Sequence, residues 1–280
     1  MELLVLIDAH HHLWRYNARD YVWMTPEMES LRHDFLIPEL QSVFAESGIE
    51  GSVAVQARQS LAETEWLLEL ASESSLIRGV VGWVPLVDAR VGECLDRLSR
   101  NPRLRGVRHV LHDEADDFYM LREDFNLGVD QLHARGLTYD ILVFEGHLPQ
   151  TIQFVDRHPK QIFILDHIAK PRIREEVLSP WKENIQALAK RDNVYCKLSG
   201  MVTEARWNSW TRDDLAPFFE VVLSAFGPRR LMFGSDWPVL TLASSYKEWS
   251  NTVRSLIAAL SSDEQERVGS GSAIEAYRLQ

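Results

Sequence analysis

Eight short runs, apolar throughout rather than alternating with polar residues, constrain this chain more than any other feature. They fall at Leu4–Ile7, Gly51–Gln56, Arg78–Val84, Gly106–Leu111, Leu137–Val143, Ile162–Asp166, Val194–Leu198 and Leu231–Gly234. A strand with one wet face alternates, whereas a parallel strand covered on both faces does not. The pattern predicts parallel strands buried between helices. The stretches between the runs carry helix signals. Pro38 opens a segment that Gly48 closes, the proline-first, glycine-last order of helices. Ser60 and Glu63 have capping-box spacing, and Asp88 stands as a cap ahead of Val91, Leu95 and Leu98. Thr211 and Asp214 repeat the start signal before a helix ending at Gly227. Trp249, Val253, Leu256, Ile257 and Leu260 share one helical stripe. Asp263–Tyr277 reads as a terminal helix packed on the outside.

Strand and helix alternating eight times in 280 residues predict an α/β fold, a distorted (β/α)8 TIM barrel forming a single domain over residues 1–280. A doubly wound open sheet is the alternative. Its nucleotide-binding form needs a glycine-rich loop after the first strand, and the sequence has none there. The longest irregular stretch, Leu13–Ile37, carries Trp14, Tyr16, Tyr21, Trp23 and Met24 and is too apolar for a disordered linker. It reads either as a loop folded over the site or as a packed excursion.

Hydrophobic residues make up 45% of the chain, ample for such a core, and the formal net charge is −11. That balance argues against nucleic-acid or anionic-membrane partners, which call for clustered Lys and Arg. The two cysteines, Cys94 and Cys196, make neither a disulfide framework nor a thiolate zinc site and are expected as small apolar residues. The N-terminal apolar run is too short for a signal-peptide core, and no stretch reaches membrane-spanning length. The expectation is a cytoplasmic protein acting on a small molecule, with homo-oligomerisation left open.

In a parallel barrel the C-terminal strand ends meet at one mouth. Collecting them in order yields Asp8, His10 and His12; Gln56 and Arg58; Trp83; Arg108, His109 and His112; Asp140; His167 and Lys170; Lys197 and Ser199; Ser235, Asp236 and Trp237. Period-2 alternation puts His10 and His12 on one face and His11 on the other. Together, His10, His12, His167 and Asp236 form a set of three imidazoles and one carboxylate. Such a set suits a divalent cation such as zinc. It equally suits metal-free hydrolysis with Asp236 as base and an imidazole as donor.

The segments Asp8-Ala9-His10-His11-His12, Asp166-His167-Ile168-Ala169-Lys170-Pro171 and Gly234-Ser235-Asp236-Trp237-Pro238 resemble the amidohydrolase superfamily. With Val55–Gln59, Val81–Val84, Gly106–His109 and Lys197–Gly200, they are most similar to the sugar-lactonase branch of the amidohydrolase 2 family, which includes L-fuconolactonase-like and L-rhamnonolactonase-like enzymes. The resemblance spans about residues 5–240. It implies a barrel hydrolase that opens a cyclic ester, such as L-fucono- or L-rhamnono-lactone, to the hydroxy acid.

By motif match His10, His12, His167 and Asp236 would hold one divalent metal ion, zinc, which some members of this branch dispense with, and Asp236 and His167 would be catalytic. Gln56, Arg58, Trp83, Arg108, Asp140 and Lys197 are the expected substrate contacts. The bridging lysine of two-metal members has no counterpart at the fifth strand, where Tyr139-Asp140-Ile141-Leu142 stands. Alternatives are a 2-pyrone-4,6-dicarboxylate-type lactonase, a metal-dependent amidase or decarboxylase on the same barrel, and an inert sugar-acid binder.

Overall fold

The computed structural model describes residues 4–280. Eight parallel strands run in sequence order: β1 (Leu6–His11), β2 (Ile49–Val55), β3 (Ile77–Gly82), β4 (Leu104–Val110), β5 (Thr138–Leu142), β6 (Phe163–Leu165), β7 (Val194–Leu198) and β8 (Leu231–Phe233). Helices α1 (Ile37–Ser47), α2 (Leu61–Glu73), α3 (Val91–Leu98), α4 (Glu123–His133), α5 (Leu148–Arg157), α6 (Trp181–Leu188), α7 (Arg212–Phe226) and α8 (Tyr246–Leu256) follow the strands. The short α9 (Ser262–Glu266) and α10 (Ser272–Tyr277) complete a (β/α)8 TIM barrel. Among the described residues no helix is long and apolar enough to cross a membrane.

Local signals act mostly as expected. Gly48 ends α1 in the left-handed conformation (φ 68°), and Thr211 with Asp214 forms a reciprocal capping box on α7. Two details differ. Ser60 caps α2, but the Glu63 carboxylate accepts from the N–H groups of Ala57 and Arg58 (3.1 and 2.8 Å), fixing the turn after β2. Asp88 accepts from the Arg90 N–H at 2.7 Å, two residues ahead of the cap position held by Arg90, and α3 starts only at Val91.

Two apolar layers form. The larger lies between strands and helices. The smaller fills the lower interior of the barrel with Ile7, Val53, Val55, Val81, Ile164 and Met232. Ala273, Ala276 and Tyr277 of the terminal helix join that inner layer. The terminal segment is thus not an outer helix. It closes the barrel from below, because its small residues fit a lumen already narrowed by Val and Ile.

Among the described residues β1 and β8 form no ladder; a single bridge, His11 to Trp237, joins β1 to the segment that follows β8. The backbone N–H groups of His12 and Asp236 donate to Trp237 O and His10 O (2.7 and 2.8 Å). The seam of the barrel therefore runs through the candidate site.

Candidate active site

A bulge in β1 sets the site. Asp8 pairs with Ser52 and His11 with Ala54, so β1 spends one residue more than β2 over this span. The extra residue resets the alternation. Asp8 and His11 both face the helices, bonded to Tyr246 and Ser52, while His10 and His12 turn to the mouth.

Three imidazoles converge on one carboxylate oxygen. Asp236 Oδ1 lies 3.7, 3.3 and 3.8 Å from the Nε2 atoms of His10, His12 and His167. Each ring is oriented by its other nitrogen. His12 Nδ1 donates to Val55 O (2.8 Å), and a carbonyl cannot donate back, so neutral His12 carries its lone pair at Nε2. His167 Nδ1 is bound to Ser199 Oγ (2.8 Å). His10 Nδ1 lies 3.1 Å from Lys197 Nζ and 3.3 Å from Asp166 Oδ1.

Backbone conformation is unusual at the same places. His167, Ile168, Ala169 and Lys170 have φ of 53, 49, 63 and 46°, and Asp236 has 61°. Left-handed non-glycine residues cost of order 1–3 kcal/mol each and cluster at functional sites. Gly200 (φ 65°) lets His167 approach, since a Cβ there would meet the ring at 2.7 Å.

Electrostatics favour a ligand-ready state. Burial drives the basicity of His10 and His167 far down, leaving neutral imidazoles. Burial pushes the Asp236 carboxyl up, but His167, His12 and Lys170 outweigh it and hold the group below its ordinary value, ionised. Donor atoms of His10, His12 and Asp236 lie within 4.8 Å of one another. The Nε2 atoms of His10 and His12 are 3.2 Å apart. Two nitrogens about 2.0–2.1 Å from a tetrahedral zinc would be about 3.3 Å apart. The residues therefore fit a divalent metal.

Beneath lies a buried charge cluster. Lys197 Nζ donates to Asp140 Oδ2 (2.6 Å) and forms an ion pair with Asp166 Oδ1 (2.8 Å). Tyr277 donates its hydroxyl to Asp140 Oδ2 at 2.5 Å. Arg108 Nη1 reaches Asp166 Oδ2 (2.9 Å) and His10 Nε2 (3.3 Å). Burial raises the Asp166 carboxyl, yet Lys197, Arg108 and His167 bring it down to about 2. Burial raises Asp140. Two carboxylates and two cations balance, as buried charges must.

Above the imidazoles opens a cavity of about 340 Å³, within the range of small-molecule sites. His12, His167, Asp236, Arg108, His112 and Lys170 supply its polar wall, and Trp23, Met28, Val110, Leu142 and Phe144 its apolar one. Trp23 and Met28 belong to the loop after β1, which does fold over the site.

Of the six expected substrate contacts, Arg108 lines this cavity. Lys197 and Asp140 are wholly buried below it and spend their charge on each other. Gln56 faces Arg108 Nη2 with its Oε1 (3.3 Å). Arg58 pairs with Asp20. Trp83 donates from Nε1 to His109 Nδ1 (3.3 Å), because His109 turns outward where Arg108 turns in. Sequence reasoning passed over Asp166, although its place between β6 and His167 was legible, and over Tyr277, for which no local signal exists.

The fold and site together define a class, the (β/α)8 barrels with an imidazole–carboxylate centre at the C-terminal mouth. The chain belongs to the amidohydrolase family, whose sequence model matches residues 7–279. It is 41% identical to an L-fucono-1,5-lactonase of Burkholderia multivorans over 286 aligned residues, 98% of this chain and 96% of that protein. It is 34% identical to an L-fucono-1,5-lactonase of Burkholderia ambifaria, over 98% of this chain and 95% of that one. A crystal structure of an amidohydrolase from Burkholderia multivorans with bound zinc is 40% identical, covers 99% of this chain and 100% of its own, and superposes with a TM-score of 0.96.

Proposed function

We propose that this protein hydrolyses a sugar-acid lactone, L-fucono-1,5-lactone or a close relative such as an L-rhamnono-lactone, as a single barrel domain. The observation that carries the reading is the convergence of three Nε2 atoms on Asp236 beneath the cavity. Full-length likeness to two L-fucono-1,5-lactonases supports the choice of substrate.

Asp236 acts as base. Its Oδ1 faces the imidazoles, and Oδ2 has no hydrogen bond among the described residues, leaving it for water. It takes a proton as the water oxygen attacks the lactone carbonyl carbon. Arg108, at the cavity wall beside His10, places positive charge near the oxygen that becomes negative. His167, locked by Ser199 and Gly200, holds Asp236 and the carbonyl in register. His10, His12, His167 and Asp236 would hold one zinc ion, and such an ion supplies Lewis acidity toward the carbonyl.

One observation favours a metal-free variant of the same chemistry. The Arg108 guanidinium stands 3.3 Å from His10 Nε2, where it repels a cation and can donate in its place.

The test is a pH-indicator screen of L-fucono-1,5-lactone, L-rhamnono-lactone and 2-pyrone-4,6-dicarboxylate, with and without chelator. Turnover of the first two is expected. Turnover of the pyrone alone, or of none, rejects the proposal, and chelator-insensitive turnover selects the metal-free variant.

A further inference from the structure

Of the three imidazoles that face Asp236, two are held by an adjacent strand. His12 is fixed through Nδ1 by the Val55 carbonyl at the end of β2, and His167 by the Ser199 hydroxyl just after β7. His10 has no such anchor. Among the described residues no backbone group reaches its ring. Its Nδ1 sits instead between Lys197 Nζ at 3.1 Å and Asp166 Oδ1 at 3.3 Å, and these two are 2.8 Å apart. A lysine ammonium is a compact charge on a flexible four-carbon stem. Such a group fixes a ring only if something else fixes the ammonium.

What fixes Lys197 lies below it. Its Nζ donates to Asp140 Oδ2 at 2.6 Å. Asp140 is gripped at both oxygens. Thr138 donates its hydroxyl to Oδ1 at 3.2 Å, and Tyr277 donates its hydroxyl to Oδ2 at 2.5 Å. Thr138 stands two residues earlier on the same strand and moves with Asp140. Tyr277 comes from α10, beneath the barrel. Its side chain is buried, and its ring lies 5.6 Å from Lys197 Nζ. Close packing in the inner layer leaves that ring no room to turn.

We propose that Tyr277 is a positioning residue for the hydrolysis, acting through Asp140 and Lys197 to set the tilt of His10. The proposal rests on the lactonase reading. Tilting that ring moves its Nε2 relative to Asp236 Oδ1, 3.7 Å away, and to Arg108 Nη1, 3.3 Å away. The spacing between the base and the cation that meets the developing oxyanion changes with it. Tyr277, Asp140 and Lys197 do not line the cavity, so the effect falls on turnover and not on substrate capture.

The test is Tyr277→Phe, which removes the hydroxyl and keeps the packed ring, so the variant folds. The control is Tyr195→Phe. It removes a hydroxyl that is bonded to Glu275 of the same helix at 3.0 Å and does not touch Asp140. Both are assayed on L-fucono-1,5-lactone at a temperature where each stays folded, and nitrogen NMR spectra of labelled histidines are recorded on the metal-free proteins. Tyr277→Phe is expected to lose about 10–100-fold in kcat with KM little changed, the range for removing a group that orients an active one. Its His10 nitrogen signals are expected to move more than those of His12 and His167. Tyr195→Phe is expected to keep wild-type kcat and signals. Wild-type kcat or unmoved His10 signals in Tyr277→Phe, a raised KM at unchanged kcat, or an equal loss of kcat in Tyr195→Phe would overturn the proposal. Wild type that opens no lactone would reject the lactonase reading, and the His10 signals would then decide the link from Tyr277 by themselves.

Discussion

Ser235 and Asp8 lie 227 positions apart and share two hydrogen bonds. The Ser235 N–H donates to Asp8 Oδ1 at 2.8 Å and its hydroxyl to Oδ2 at 2.6 Å. The His10 N–H and the Tyr246 hydroxyl complete the set at 3.0 and 2.8 Å. At this seam the Asp8 carboxylate adds to the two backbone bonds and ties the first strand to the segment after the last; Ser235 stands one residue from Asp236, and Asp8 two from His10.

Ser235→Ala tests that clamp. The change removes the hydroxyl bond to Asp8 and leaves the Trp237 N–H, now 2.9 Å from Ser235 Oγ, without its acceptor. A buried donor stranded this way costs about 1–3 kcal/mol. Urea melts are expected to show that loss, and kcat is expected to fall with it because Asp236 is the next residue. A stability loss with unaltered kcat would separate the seam from the site.

Gly200→Ala drives a methyl group into the His167 ring, 2.7 Å from its Cγ and Nδ1, at a φ of 65°. Strain of at least ~1 kcal/mol is expected in thermal melts. The larger effect is expected in kcat, since the ring has to leave Ser199. Wild-type kcat would show that His167 does not need its present place.

Asp236→Asn removes the base while keeping shape and the backbone bond to His10 O. A drop of about 10²–10⁴ in kcat is expected with the melting temperature preserved. Calorimetric titration with zinc is expected to show weaker binding in the same variant, because an amide replaces the one anionic donor.

Glu63 supplies a pH signature away from the site. Burial pushes its carboxyl from 4.5 to about 7, against the N–H groups of Arg58 and Ala57. Between those values the folded protein keeps a proton that the unfolded chain has released. Stability from this group is therefore greatest below the unfolded value and falls as pH rises toward 7, by roughly 3 kcal/mol in all. Glu63→Gln has no such slope. The melting temperature of the variant relative to wild type is expected to climb from about pH 5 to about pH 8; a constant difference would show that Glu63 titrates normally.

The strands were legible because burial on both faces leaves an uninterrupted apolar run; seven overlie their runs, whereas β1 begins within Leu4–Ile7 and continues through Asp8 to His11. His10 and His12 were legible because alternation survives locally. Asp8 was not, since the bulge that turns it away from His10 depends on pairing with β2. A charged residue at a strand end looks the same whether it greets a ligand or another charge. Lys197 and Asp140 therefore read as substrate contacts, and only the register of neighbouring strands brings them together. Arg108 and His109 are adjacent, and which one turns inward is likewise a property of the closed barrel. The terminal helix shows an apolar face without showing what it covers, so Tyr277 could not be placed beneath Asp140.

The left-handed run from His167 to Lys170, together with Asp236, has a bearing on any attempt to toughen this protein. Relaxing those torsions is an obvious route to heat resistance, yet the same torsions aim the reacting groups. Screens that select on melting temperature alone would tend to collect sturdy, idle barrels, so selection has to reward turnover alongside endurance.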